Sequence, residues 1–229
     1  MNPPRKREYG FTLLEILATL FIFGIIAGTL FIAYRALFFD TERFKQAMRR
    51  YAQAQVCMQR ILTDLRAIRV THAPLYTAPQ EDAPPDPLRL IGQIEITGNE
   101  AFSTLRFASA AHVPMGTRRE AGIAAISYYV TETDAGTFSL RRSDHLYTHV
   151  QADADGADPT LCESVHSFRL TYYDQDGEPY DQWNSDSADF FFATPSAVEL
   201  ELKIGEAGDA AVFKTRIHLP VHREARANL

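Results

Sequence analysis

The sequence has few cysteines. Cys57 and Cys162 are the two in a chain of 229 residues, which is too few for a disulfide scaffold. No Cys-x-x-Cys pair and no mixed Cys/His spacing indicates a zinc site. Two alternatives remain for these cysteines: pairing in an oxidising compartment, or two separate buried thiols that behave as small apolar side chains. We favour separate thiols.

Excess positive charge is also missing. The formal net charge is -6, and no stripe of lysine and arginine follows the amino terminus, so nucleic acid is not an expected partner. There is no Gly-x-Ser-x-Gly, no phosphate-binding glycine-rich loop and no local cysteine-nucleophile signature. We therefore predict no catalytic residue, no cofactor and no small-molecule substrate. An enzyme or binding domain held by a signal anchor is the competing class.

Two acidic loops are weak candidates for calcium. One contains Asp153 and Asp155 and the other Asp174 and Asp176, but neither has the full ligand spacing of a calcium-binding loop. Solvated turns have the same composition. The prediction is therefore that no metal is bound and that both loops are turns.

Helix breakers are absent over a long stretch. No proline occurs between Pro4 and Pro74, and no glycine between Gly28 and Gly92, which predicts one helix over about residues 11–70. Its first part, residues 11–39, is apolar. Its second part, residues 40–70, is amphipathic, and a coiled coil is the alternative there. The apolar face is predicted from positions at steps of four and three: Phe44, Met48, Tyr51, Gln55, Met58, Leu62 and Leu65.

The apolar part is long enough to cross a membrane. Residues 16–33 carry no charge, and Arg5, Lys6 and Arg7 precede them, which predicts a cytoplasmic amino terminus and an extracytoplasmic head. No small-residue cleavage site follows the run. Glu15 leaves two alternatives open: a functional carboxylate paired with a cation, or a charge at headgroup depth that suits the helix dipole.

The sequence KREYG followed by FTLLE resembles the prepilin processing signal of type IV pilins and type II secretion pseudopilins. The resemblance implies that a prepilin peptidase cuts between Gly10 and Phe11 and methylates the new amino terminus of Phe11. Residues 1–10 would then be a cleaved leader. It also implies that Glu15 serves assembly, by pairing with the amino terminus of a neighbouring subunit.

The remaining chain predicts a head of antiparallel strands. Residues 71–100 are expected to form a proline-rich connector and residues 101–229 a β head, which gives an α+β class with the helix packed on the sheet. This is also the architecture of pilin-like proteins. Phe190, Phe191 and Phe192 suit either a strand buried on both faces, which we favour, or a docking patch. Strands are predicted at 103–108, 123–131, 136–142, 165–174, 197–204 and 212–221.

The carboxy-terminal part resembles the J subunit of the minor pseudopilins of type II secretion systems over about residues 161–220. In the middle of the chain, about residues 74–158, we recognise no family resemblance. The resemblance implies a periplasmic tip complex that initiates and caps the pseudopilus, with the inner membrane, other minor pseudopilins and the major pseudopilin as partners. A longer acidic insert, residues 184–196, departs from the pattern, and a minor pilin of a type IV pilus is the alternative. The matching positions are Phe168, Tyr172, Tyr173, Asp174, Gly177, Trp183, Pro195, Ala197 and Val198.

Overall fold

The computed structural model describes residues 11–80, 82, 84–113, 121–147, 158–205 and 210–225. The chain divides into two compact units, residues 1–49 and residues 50–229. One helix, α1 (Leu13–Arg66, 54 residues), contributes to both units. The second unit contains the strands and is called the head below. The predicted α+β class, with an amino-terminal helix and antiparallel sheets, is confirmed.

The helix ends earlier than predicted. The N–H of Ala67 is shared between the carbonyls of Thr63 and Asp64, each 3.2 Å away, which is a common geometry at a helix terminus. The next residues, Ile68 and Arg69, form a short strand, β1, that pairs with Ser109 and Ala108. Residues 67–70 are therefore not helical, because the β-branched Ile68 and its neighbour Arg69 pair with another strand instead.

All six predicted strands are present, and five further strands join them. In chain order the strands after β1 are β2 (Ile91–Thr97), β3 (Glu100–Ser109), β4 (Ala124–Glu132), β5 (Phe138–Leu146), β6 (Thr160–Cys162), β7 (Val165–Tyr173), β8 (Pro179–Tyr180), β9 (Trp183–Asn184), β10 (Ala197–Ile204) and β11 (Ala211–His218).

Two antiparallel sheets form the head. The first has seven strands in the order β6-β5-β4-β3-β2-β9, with β1 paired to β3, and the second has the order β11-β10-β7-β8. Strand β2 lies inside the predicted connector, residues 71–100, and pairs with β3 over its whole length. The predicted boundary at residue 101 is therefore wrong, because the chain enters the sheet at Ile91.

One core joins the helix to both sheets. Ala54, Cys57, Ile61 and Leu65 are completely buried on α1, and they share the core with aromatic and aliphatic residues of both sheets. The prediction of the apolar face was right at Met58 and Leu65, which are buried, but not at Tyr51, which is 55% exposed. Small side chains, which hydrophobicity alone does not select, let the helix approach the sheet closely.

The two sheets meet with little space between them. The hydroxyl of Ser103 on β3 accepts a hydrogen bond from the N–H of Leu170 on β7 at 2.9 Å. Gly92 on β2 faces Tyr172 on β7, and a Cβ at Gly92 would lie 1.9 Å from the Tyr172 hydroxyl oxygen. Any larger residue at this position would therefore displace a buried ring.

The phenylalanine run is a turn. Ala188–Phe190 form one 3-10 turn, which Ser187 caps by accepting a hydrogen bond from the N–H of Asp189. Phe191 and Phe192 follow with φ of 51° and 56°. The predicted strand buried on both faces is therefore wrong, because these left-handed residues interrupt an extended chain. Phe190 stacks on Trp183 with 4.5 Å between ring centroids, while Phe191 is 48% exposed.

Candidate functional site

The first turn of α1 is capped by its own sequence. Thr12 precedes the helix, and its hydroxyl accepts a hydrogen bond from the N–H of Glu15 at 3.3 Å. The carbonyl of Thr12 accepts from the N–H groups of Glu15 and Ile16. A threonine followed three residues later by glutamate is the sequence of a capping box. The helix can therefore begin directly after Phe11 without help from residues further upstream.

Glu15 lies in the first turn of α1, and its side chain is exposed. Within the part of the chain that the structure describes, the Glu15 carboxylate forms no ion pair. Its position near the positive end of the helix dipole is locally favourable. The geometry thus leaves the carboxylate available to a cation from outside the chain.

An apolar surface follows. Residues Leu13–Arg35 form a span of 23 residues that contains an 18-residue window with a mean hydropathy of 2.5, and none of that window is buried by the described chain. Covering one large apolar side chain stabilises a structure by about 1.5 to 3 kcal/mol. The described chain does not cover this surface, which by length and composition suits a membrane.

The threonine hydroxyls inside this span are hydrogen-bonded within the helix. The hydroxyl of Thr19 donates to the carbonyls of Glu15 and Ile16 at 2.8 and 2.9 Å. Such bonds let a hydroxyl enter an apolar medium without a lost hydrogen bond. Gly24 and Gly28 lie one turn apart, and a Cβ at either would meet no atom of the described chain within 4 Å. This strip of the helix is open to close approach by another helix.

The head holds a buried charged cluster that anchors the end of α1. Asp64 is completely buried, and its Oδ2 lies 2.7 Å from Arg142 Nε on β5. Arg60 and the Tyr128 hydroxyl donate to the same carboxylate. Burial, together with the Asp64 charge, holds the pKa of the Tyr128 hydroxyl well above its usual value. This cluster joins the helix to the centre of the first sheet.

The cluster continues to the sheet edge through Asp144. Arg142 Nη1 is 2.7 Å from Asp144 Oδ2, and His112 Nδ1 is 2.6 Å from Asp144 Oδ1. Burial favours a raised pKa for Asp144, but the hydrogen bonds from His112, the Val113 N–H and Arg142 outweigh it and lower that pKa. The carboxylate is therefore ionised at neutral pH and holds residues 112–113 against β5.

A second buried cluster surrounds Arg223, close to the carboxyl terminus. Its Nη1 lies 2.8 Å from Asp86 Oδ2, and its guanidinium carbon lies 3.5 Å from the centroid of the Tyr76 ring. The Tyr76 hydroxyl donates to Asp186 at 2.9 Å. Burial and this bond raise the pKa of Tyr76 to about 12. One arginine thus ties the proline-rich segment to the acidic insert.

A comparison with protein families decides the identity. Residues 33–213 match the family described as type II secretion system (T2SS), protein J. The chain belongs to the type II secretion system protein J family. Residues 5–31 also match the prokaryotic N-terminal methylation motif. A search of curated proteins finds no match.

The J family match confirms the resemblance and extends it. It includes the middle of the chain, about residues 74–158, for which the sequence suggested no family, and it includes the acidic insert. The two matches together identify a type II secretion minor pseudopilin with a membrane-anchoring helix. The type IV pilus alternative shares the methylation motif but not the protein J match.

The predicted processing residues lie at the edge of the described chain. Gly10 is outside the described residues, and Phe11 is the first described residue, with 79% of it exposed. Phe11 and Glu15 lie at the same end of the apolar helix in this J family chain. The cleavage site, the methylation of Phe11 and the pairing of Glu15 stay predictions.

The calcium candidates are divided between two regions. Asp153 and Asp155 lie outside the described residues. The Asp174 carboxylate accepts hydrogen bonds from the N–H groups of Asp176 and Glu178, both at 2.9 Å. This is the geometry of a turn closed by its own aspartate. Among the described residues, no group of three or more potential ligands is arranged for a metal ion.

Sequence reasoning missed the two charged clusters. It left Asp64 out of the predicted apolar face, and it gave Arg142 and Arg223 no role. The helical spacing of Arg60 and Asp64 looks like an ordinary surface pair. One signal was present: Asp64 directly precedes Leu65, a residue of the predicted apolar face.

Proposed function

We propose that this protein J family member is processed between Gly10 and Phe11 and joins the tip of the pseudopilus. The observation that carries the proposal is the apolar span Leu13–Arg35, which starts within three residues of the proposed cut and is not buried by the described residues. A prepilin peptidase that also methylates would leave N-methylated Phe11 as the first residue. The apolar helix would then remain as the membrane anchor and as the filament-core segment.

Cleavage at this position supplies a partner for Glu15. The new amine at Phe11 stays cationic at neutral pH, even when methylated, and lies at the same end of the helix as the Glu15 carboxylate. A carboxylate left unpaired in a membrane costs a few kcal/mol, and removing one member of a buried pair is strongly destabilising. An intermolecular pair between Glu15 and a neighbour's amine therefore specifies how subunits align.

The proposed topology follows from charge. Arg5, Lys6 and Arg7 precede the span, which favours a cytoplasmic amino terminus and a periplasmic head in the bacterial inner membrane. The proposed partners are the prepilin peptidase, the major pseudopilin and the other minor pseudopilins. The tip complex would initiate and cap the filament that exports folded proteins. This role is mechanical, and the proposal includes no catalytic step and no cofactor.

The processing step is tested by the mass of the amino-terminal peptide of the membrane-extracted protein. We expect the unmodified chain to give a peptide that starts at N-methylated Phe11, and the Gly10→Val variant to keep Met1 or the residue after it. Gly24→Val is the matched control, because it makes the same change inside the span and leaves processing intact. An unprocessed amino terminus in the unmodified chain, or cleavage after Tyr34, would refute the proposal.

The assembly step is tested with Glu15→Gln. We expect this variant to be processed and inserted normally but to lose co-purification with other pseudopilins and to restore secretion poorly in a deletion strain. Glu201→Gln makes the same chemical change on β10, where the side chain is 39% exposed, and should behave like the unmodified protein. Normal assembly of Glu15→Gln would eliminate the proposed pair. Measuring secretion and surface pili separately in the deletion strain distinguishes the two filament systems.

A further inference from the structure

The two cysteines of the chain meet in the core of the head. Cys57 is on α1 and Cys162 ends β6, and they are separated by 105 residues in sequence. Their sulfur atoms are 2.8 Å apart, so the two free thiols are in direct contact, and a disulfide would need them to approach to about 2.05 Å. Both side chains are buried, with 0% and 1% of their surface exposed. The sequence had favoured two separate thiols, and the fold instead places them in contact.

We propose that Cys57 and Cys162 form a disulfide in the mature protein. The inference rests on the proposed periplasmic head, because disulfides persist in oxidising compartments and are rare in the cytosol. The bond would fasten the helix, through which a subunit is anchored, to the edge of the first sheet.

The edge strand has few other attachments. β6 has three residues, and its pairing with β5 changes register between Leu140 and Arg141. Residues 148–157 precede it and are outside the described chain. A covalent bond at Cys162 would hold this edge where backbone pairing is short. Closing a loop of this length restricts the unfolded chain more than closing a short one does.

The chemistry needs an oxidant from outside the chain. A thiolate from one cysteine attacks the disulfide of a dithiol–disulfide exchange protein and forms a mixed disulfide. The second cysteine attacks that bond, so that one sulfur–sulfur bond forms within the head and the bond to the exchange protein breaks. The two thiol protons are taken up by the exchange protein, which leaves as a dithiol. In effect the two cysteines lose two electrons, and the exchange protein gains them.

The folded head protects the pair. The hydrogen bond to Cys162, together with burial, raises the pKa of the Cys57 thiol, so the reactive thiolate is disfavoured once the core has formed. We therefore expect exchange to occur while the chain folds. In the native protein the disulfide would resist thiol reductants, and it would become reducible when urea opens the head.

The test traps thiols in living cells. Cells that express the full chain are quenched with acid, denatured and treated with a large maleimide that retards migration on a gel. Because the chain has two cysteines, we expect no adduct without prior reduction and two adducts after it. The Cys57→Ser and Cys162→Ser variants should each give one adduct under both conditions. Two adducts without reduction in the unmodified chain would overturn the disulfide.

A separate probe distinguishes a failed disulfide from a failed topology. Ala135 is exposed in the turn between β4 and β5, and Ala135→Cys is made in a chain that lacks both native cysteines. Labelling of this residue by a membrane-impermeant maleimide supports a periplasmic head. If the unmodified chain gives two adducts without reduction while the Ala135→Cys variant is labelled, the disulfide alone is overturned. If the unmodified chain gives two adducts without reduction and the Ala135→Cys variant is not labelled, the disulfide and the proposed topology are both overturned.

The stabilising effect is measured on the full chain in detergent. Trp183, the one tryptophan of the sequence, is buried, so its fluorescence reports unfolding of the head in urea. Reduction under unfolding conditions should lower the urea midpoint of the unmodified protein. The variant that carries both Cys57→Ser and Cys162→Ser should have one midpoint with or without reductant. An unmodified protein whose midpoint is insensitive to reductant would contradict the proposal.

Discussion

Replacing Asp64 with asparagine should destabilise the head strongly. The change keeps the shape of the side chain and removes its charge. Arg142, which is 3% exposed, then loses the carboxylate 2.7 Å from its Nε. It keeps Asp144 but is left in the core with one anion where there were two. Arg60 loses its partner as well.

The magnitude follows from the burial of the pair. Removing one member of a buried ion pair typically costs 3 to 5 kcal/mol, because the other charge remains desolvated. Since Arg142 retains Asp144 and asparagine still accepts a hydrogen bond, we expect a loss near the lower limit, about 3 kcal/mol. With a urea dependence of about 2 kcal/mol per molar, the midpoint should fall by about 1.5 M.

The assay is urea unfolding of the detergent-solubilised chain, followed by the fluorescence of buried Trp183. Glu201→Gln is the control, because it removes a carboxylate 3.8 Å from Lys214 at the surface, and exposed pairs contribute about 0 to 1 kcal/mol. If Asp64→Asn shifts the midpoint no more than Glu201→Gln does, the buried cluster does not stabilise the head as argued.

Three further predictions concern the head, and each is measured by the same unfolding curve. Gly92→Ala should lower the midpoint, since its Cβ would overlap the Tyr172 hydroxyl and overpacking costs about 1 to 3 kcal/mol; an unchanged midpoint would contradict this. Tyr172→Phe should leave the midpoint equal or higher, because the buried hydroxyl of Tyr172 has no hydrogen-bond partner among the described residues. A clearly lower midpoint would show that this hydroxyl does form a stabilising hydrogen bond. Because the pKa of Asp144 is lowered in the folded head, its ionised carboxylate stabilises the head at pH values above the unfolded pKa of about 3.9. This stabilisation should disappear as the pH falls through the lower pKa of the folded state. In the Asp144→Asn variant the urea midpoint should depend less on pH in this acid range. An equally steep dependence would show that other carboxylates cause it.

Local pattern was enough to predict the main elements. The missing helix breakers predicted α1, and strict alternation predicted β10, where Val198, Leu200 and Leu202 are all buried. Both signals depend only on the sequence period of one element. The strands β1, β6, β8 and β9 have only two or three residues each, which is too short for an alternating period to be seen. Strand β2 has seven residues and pairs with β3, the next strand in the chain, and it was missed because it lies in the segment assigned to the proline-rich connector.

The charged clusters could not be predicted for the same reason. Arg223 reaches Asp86, which is 137 residues away in the sequence, and no local period encodes such a contact. The prediction for the phenylalanine run was wrong for a different reason. Its hydrophobicity suggested a strand, but the Ser187 cap and the left-handed Phe191 and Phe192 favour a turn. Turn chemistry therefore outweighed hydrophobicity in this insert.

The helix serves two purposes at its two ends, and the structure separates the residues responsible. In the part of the chain that the structure describes, nothing buries the span Leu13–Arg35, whereas Ala54, Ile61 and Leu65 are completely buried in the head. Mutations in the first set should therefore alter assembly with little change in the stability of the head. Mutations around Asp64 should do the reverse. A Glu15→Gln chain that unfolds at the normal urea midpoint but fails to co-purify with pseudopilins would show this separation, whereas a lowered midpoint would show that the two sets are coupled.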